Sequence, residues 1–374
     1  MKLSILLPAA VGVLCAVAQN ADNCNTSSKK RNGADFILTD QGDNPNVASL
    51  SKIFADAGKK VAVADVFDAG NHYLTTDSSG KKAWEEKPDF DDQNTSKWVP
   101  QGITSTADAL DVGTYEGKDG WIVSWHREDD KSARVTFVDR ADDSYRHVLL
   151  VYPHAKDDFR EVPLHAGGIM WYGNTLWIVD TWNGIRVFDM DNIWQVDSGD
   201  GVGKKSGGGY SAANYKYVLP QIRWYKWTPS FDFRFSWISL DRTTTPDSLM
   251  VGEYQTSTDV PIRMVQYDLD YKTRKLKADG TTAKGSWAYC VNIERMQGAV
   301  QADGKIYISQ SNGKNAGSIW GWVPGQGAHE NAGIVPPSPE DLSYDKRGKK
   351  IYGLTEVAGG RYILTLDSSK IKFS

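Results

Sequence analysis

Most of the chain carries short apolar runs with period-two alternation, broken by glycine, asparagine and charged turns. SLSKIFADAG, Ser49 to Gly58, is the best short helix candidate, and no long stretch carries a sustained helical period. From about Trp98 onward the pattern is strand-like, and it matches itself when shifted along the chain. A first strand opens each unit: PQGITST at Pro100, LHAGGIMW at Leu164, FSWISLD at Phe235, MQGAVQA at Met296 and PEDLSYD at Pro339. A polar turn leads to a second apolar strand: WIVSWHR, LWIVDTW, LMVGEYQ, IYISQSN and IYGLTEV. A third follows a polar loop: ARVTFVDR, GIRVFDMD, RMVQYDLD, GSIWGWVP and GRYILTLD. SYRHVLLVYP from Ser144 and NYKYVLPQIRW from Asn214 match each other as a fourth.

Four antiparallel strands repeated about five times predict an all-β chain folded as a β-propeller, with room for six or seven blades. The repeats run roughly 40 to 70 residues, so this is no tight array. Three parts are expected: residues 1–18, an N-terminal segment over 19–97, and the propeller over 98–374. The middle part either closes the ring with an outer strand or hides a divergent blade. SGDGVGKKSGGGYSAAN, Ser198 to Asn214, reads as a flexible surface loop.

The first residues, MKLSILLPAAVGVLCAVA, have a basic start, an apolar run and a small-x-small end, as in a secretory signal cleaved near Ala18. Secretion is therefore expected, and no later run predicts a membrane span. Cys15 leaves with the signal; Cys24 and Cys290 remain and, in an oxidising compartment, most simply form one disulfide. Asn25-Thr-Ser and Asn94-Thr-Ser are glycosylation sequons. Lys+Arg 43 against Asp+Glu 47 leaves no basic excess for a nucleic-acid partner. A monomer with an extracellular carbohydrate partner is expected.

In a propeller the starts of first strands and the ends of second strands converge on one central funnel. First-strand starts supply Gln101, His165, Ser236 with Trp237, Gln297, and Glu340 with Asp341. Second-strand ends supply His126 with Arg127, Asp180 with Trp182, Glu253 with Tyr254, Gln310 with Asn312, and Glu356. Gly167 and Gly168 would let neighbouring strands approach near the axis. His147 aligns with an outer strand and reads as structural.

Walker, dinucleotide, HExxH and GxSxG motifs are absent from the sequence. The set fits three chemistries. A glycan lyase would hold a uronate carboxylate with Arg127, Gln101 and Gln297, and would use His126 or His165 as base or acid and Tyr254 as acid. A glycoside hydrolase would pair two of Asp180, Glu253, Glu340 and Glu356. A sugar-binding propeller would stack sugars on Trp182, Trp237 and Trp320. A calcium ion held by carboxylates in the central channel is compatible with all three. The equivalent positions differ between blades, which favours one asymmetric site, and the lyase is preferred.

KWVPQGIT, YRHVLLVYP, HAGGIMWYG and DTWNGIRVFD together resemble a family of secreted proteins of filamentous fungi and actinomycetes. The resemblance spans Trp98 to Asp191 by motif and the rest by pattern; it implies secretion and a propeller, and no activity. In overall plan the chain is also similar to propeller enzymes that attack rhamnose–glucuronate ends of plant gums. Those have seven blades, and none of their catalytic residues can be carried over by position.

Overall fold

The computed structural model describes Cys24 and residues 29–374. The signal-like segment and the Asn25 sequon lie outside the described residues. The described chain is a five-bladed β-propeller, each blade four strands deep from axis to rim. The inner strands are Trp98–Ser105, Ile169–Tyr172, Trp237–Asp241, Met296–Ala302 and Pro339–Asp345, and each packs on the next around a closed ring. The gap between each pair of adjacent blades holds its own apolar cluster, filled by the alternating side chains of the facing sheets.

Glycine makes the closest inter-blade approaches. A Cβ on Gly168 would lie 2.5 Å from the Trp237 backbone, and one on Gly298 would lie 2.6 Å from Asp341 Cα. Neither position has room for a side chain.

The N-terminal segment wraps the outside of the ring and edges four of the five sheets. Lys29–Arg31 adds to blade 3 against Trp287–Cys290, where the Cys24–Cys290 disulfide ties it down. Ile37–Asp40 adds to blade 2, and His72–Tyr73 to blade 1. Lys82–Ala83 pairs with Tyr362–Asp367 as the outer strand of blade 5. Trp84, fully buried, then wedges edge-on against Trp125 and Tyr145 in the seam between blades 5 and 1.

Two local expectations are corrected. The helix runs over Pro45–Asp56, starting before Ser49, because Asn44 accepts the Asn46 N–H at 3.0 Å and Pro45 suits the first turn. The glycine-rich stretch is not a free loop: Val202–Lys204 and Tyr210–Ala212 form a hairpin. Tyr210 packs on Phe54 and Phe159, so one aromatic anchors an otherwise polar segment. Among the described residues no helix is long and apolar enough to cross a membrane.

Candidate functional site

A cavity of about 250 Å³ opens on the propeller axis. Three of its side chains owe their direction to β-bulges. In blades 1, 4 and 5 the register between first and second strands slips at Gln101, at Gln297 and at Glu340-Asp341. A regular strand would send each of these side chains into a neighbouring blade; the bulge turns it to the axis. There Gln101 Nε2 donates to Glu356 Oε2 at 2.7 Å, and Gln297 Nε2 to Glu340 Oε1 at 2.8 Å. Glu340 and Glu356 lie within hydrogen-bond range of each other. Burial first, and then the Glu356 charge, hold the Glu340 carboxyl well above the usual range.

The opposite wall is cationic and aromatic. Arg234 lies over the Tyr254 ring at 4.9 Å and 6.0 Å from Trp182. Its Nη1 donates to the Tyr254 carbonyl at 3.3 Å, its Nε is buried without a partner, and among the described residues it has no carboxylate partner. His165 lines the same cavity. Its Nδ1 is 3.0 Å from Asp130 Oδ1, which also lies 2.6 Å from His126 Nδ1, and the two imidazoles are 4.2 Å apart. With its Nδ1 proton on Asp130, His165 keeps Nε2 as a lone pair, without a partner among the described residues. His126 is mostly buried; burial, then the neighbouring His165, lower its pKa.

The ligand atoms of His126, Asp130 and His165 lie within 4.8 Å of one another, and among the described residues they are the single grouping that could hold a divalent ion. His165 Nδ1 bonds Asp130, while His126 Nδ1 also meets the Arg127 carbonyl at 2.9 Å. Below the cavity Asp341 Oδ2 accepts the Ile169 N–H at 3.0 Å, and burial raises its pKa well above the usual range.

The structure thus gathers Gln101, His165, Tyr254, Gln297, Glu340 and Glu356 around one cavity, with Ser236 and Thr181. Asp180 and Trp182 line an adjoining cleft of about 360 Å³ that shares His165 and Arg234. Trp182 is 57% exposed there, while Asp180 is held by Arg186 at 2.7 Å.

The other expectations are corrected. Glu253 is buried beneath the wall in a two-pronged ion pair with Arg263, at 2.6 and 2.9 Å. Trp237 is 0% exposed, because it is the first paired residue of its strand and faces the core between blades 3 and 4. Gln310 is spent on the Glu294 carbonyl and the Trp320 indole, in a cleft away from the axis. Arg127 is bound to Asp129 and Glu161 and lines a different pocket. Asn94 of the second sequon is not among these corrections: it is exposed, its amide bonded to Asp91. Arg234 and Asp130 were not foreseen.

Deeper in the channel, Asp108 accepts from Thr104 and Ser343, each at 2.7 Å, and burial pushes its pKa up to about 6. The folded value lies above the unfolded one, so the neutral acid's contribution is complete below about pH 4 and lost as pH rises through about 6. The charged form costs about 3 kcal/mol at pH 7. Asp108→Asn is therefore expected to raise the melting temperature at pH 7 and to leave it unchanged near pH 4. Equal shifts at both would refute this origin.

No family model and no curated protein sequence matches the chain.

Proposed function

We propose that the chain is a secreted lyase that cleaves a uronate-containing glycan in the central cavity. The observation that carries this reading is Arg234, a cation with no carboxylate partner among the described residues, facing a cavity that also holds His165 backed by Asp130. A uronate carboxylate would supply the missing anion through charge-assisted hydrogen bonds. Neutralised in this way, it acidifies the proton on the adjacent carbon. His165 Nε2 takes that proton, the electron pair forms a carbon–carbon double bond, and the neighbouring glycosidic C–O bond breaks. Tyr254 donates its phenolic proton to the departing oxygen and regains one from solvent. Trp182, at the mouth, offers a face for a sugar ring. The disulfide supports an oxidising compartment.

The contact between Glu340 and Glu356 weighs against a hydrolase built on that pair. Hydrolases hold their carboxyls about 5 Å apart or more, leaving room for the scissile bond or a water. Incubation with polyuronate glycans should raise ultraviolet absorbance and reducing ends together, and His165→Ala should abolish both. Reducing ends without absorbance would move the site to hydrolysis. Silence in both, with saturable binding, would make it a lectin.

A further inference from the structure

A second cavity, of about 260 Å³, lies on the flank of blade 1 where the N-terminal segment crosses it. Its walls are aromatic. The His72 ring stacks on Phe90 with centroids 3.4 Å apart, and Trp98 meets Tyr215 edge-on at 6.3 Å. Five cationic side chains line it against one carboxylate, Glu161. Two of the five are already neutralised: Arg127 by Asp129 and Glu161, and Arg134 by Asp92 at 2.7 Å. The other three, Lys97, Arg146 and Lys216, have no carboxylate partner among the described residues. Arg146 is half-buried and gives one long bond, 3.4 Å, to the Ala69 carbonyl. Burial lowers its pKa, opposed by the Tyr217 phenol, whose ring it overlies at 5.8 Å. Partly desolvated cations without a counter-charge are unfavourable, and an anion seated among them removes the penalty.

We infer that this pocket is a second binding site, for an acidic sugar unit whose carboxylate meets Lys97, Arg146 and Lys216 while its ring lies on the aromatic walls. Its place in the fold supports a carbohydrate over a free small anion. Arg127 lines this pocket, and the preceding residue, His126, touches His165 of the central cavity. The two cavities therefore meet the end of one strand, at His126 and Arg127. Occupancy of the pocket does not depend on lyase chemistry.

The test is calorimetric titration with tetragalacturonate, with maltotetraose as the neutral counterpart and inorganic sulfate as the bare anion. Arg234→Ala, which removes the central anion site, provides the background. That variant is expected to bind tetragalacturonate and not maltotetraose, with sulfate at least tenfold weaker. Adding Arg146→Gln and Lys216→Gln should weaken tetragalacturonate binding at least tenfold, with the melting temperature unchanged. Adding Lys97→Gln alone should weaken it by a smaller factor, which keeps the test valid should the other pair disturb folding. Equal binding of the neutral sugar or of sulfate, no binding by the Arg234→Ala protein, or unchanged affinity in the charge-deleted variants would overturn the inference. Failure of the lyase reading appears separately, as absent absorbance in the wild-type protein.

Discussion

Arg234→Ala is expected to lower kcat/KM on a polyuronate glycan by two to three orders of magnitude, with most of the loss in kcat. The size follows from what the guanidinium does in a half-closed cavity. A charge-assisted pair shielded from water is worth roughly 3 to 4 kcal/mol, and each 1.4 kcal/mol is a tenfold change in rate. The loss falls on kcat because the carboxylate most needs a counter-charge while electron density builds on the neighbouring carbon. Arg234→Lys should recover part of the rate, since lysine keeps the charge and loses the planar fork. The fold should tolerate both changes. The side chain gives one hydrogen bond, to the Tyr254 carbonyl, and its Nε bonds nothing, while the backbone N–H that holds Glu253 at 3.1 Å remains. Steady-state absorbance kinetics beside a melting curve check this. A change within twofold on a well-folded variant would remove Arg234 from the mechanism, and with it the main support for a uronate substrate.

The strand repeat was legible because blades are built from local, period-two patterns closed by short turns. Closure of the ring by an outer strand from the N-terminal segment was one of two readings, and Lys82–Ala83 is that strand; the rest of the wrapping over residues 29–83 was not legible. Its edge strands are two to four residues long, too short to carry a pattern, and each finds its partner far away in sequence. The bulged residues could be read from PQG, MQG and PED, where a polar side chain interrupts an apolar strand near its start. Arg234 escaped because strand pairing begins at Trp237, so the funnel positions are those just before it, Arg234 and Ser236. The same boundary sends Trp237 into the core. Glu253 and Tyr254 are neighbours, and only the arginine beneath decides which of them turns inward: Glu253 down to Arg263, Tyr254 into the cavity. Asp130 carried no signal. It is one acid in a charged turn, and its meaning appears only when His126 of blade 1 and His165 at the entry to blade 2 meet on its carboxylate.

Replacing Cys24 and Cys290 by serine should cost a large part of the stability. The crosslink spans a sequence separation of 266 residues. Closing a loop of that length removes chain entropy from the unfolded state worth about 5.6 kcal/mol, which for a chain of this size is about 8 °C in melting temperature. The loss should have a direction. With the tie gone, Lys29–Arg31 is held to blade 3 by its own short ladder and Ile37–Asp40 to blade 2 by the next. Lys82–Ala83 lies beyond the Pro45–Asp56 helix and is anchored by buried Trp84, so closure of blade 5 should survive at room temperature. Hydrogen exchange in the double variant should therefore quicken first at residues 29–40 and only later at 82–84, with activity retained below the melting point. A melting shift under about 2 °C would mean that the unfolded chain is already constrained without the bond. Early exchange at 82–84 would mean that the segment holds the ring as one unit, and that its short edge strands gain their stability together.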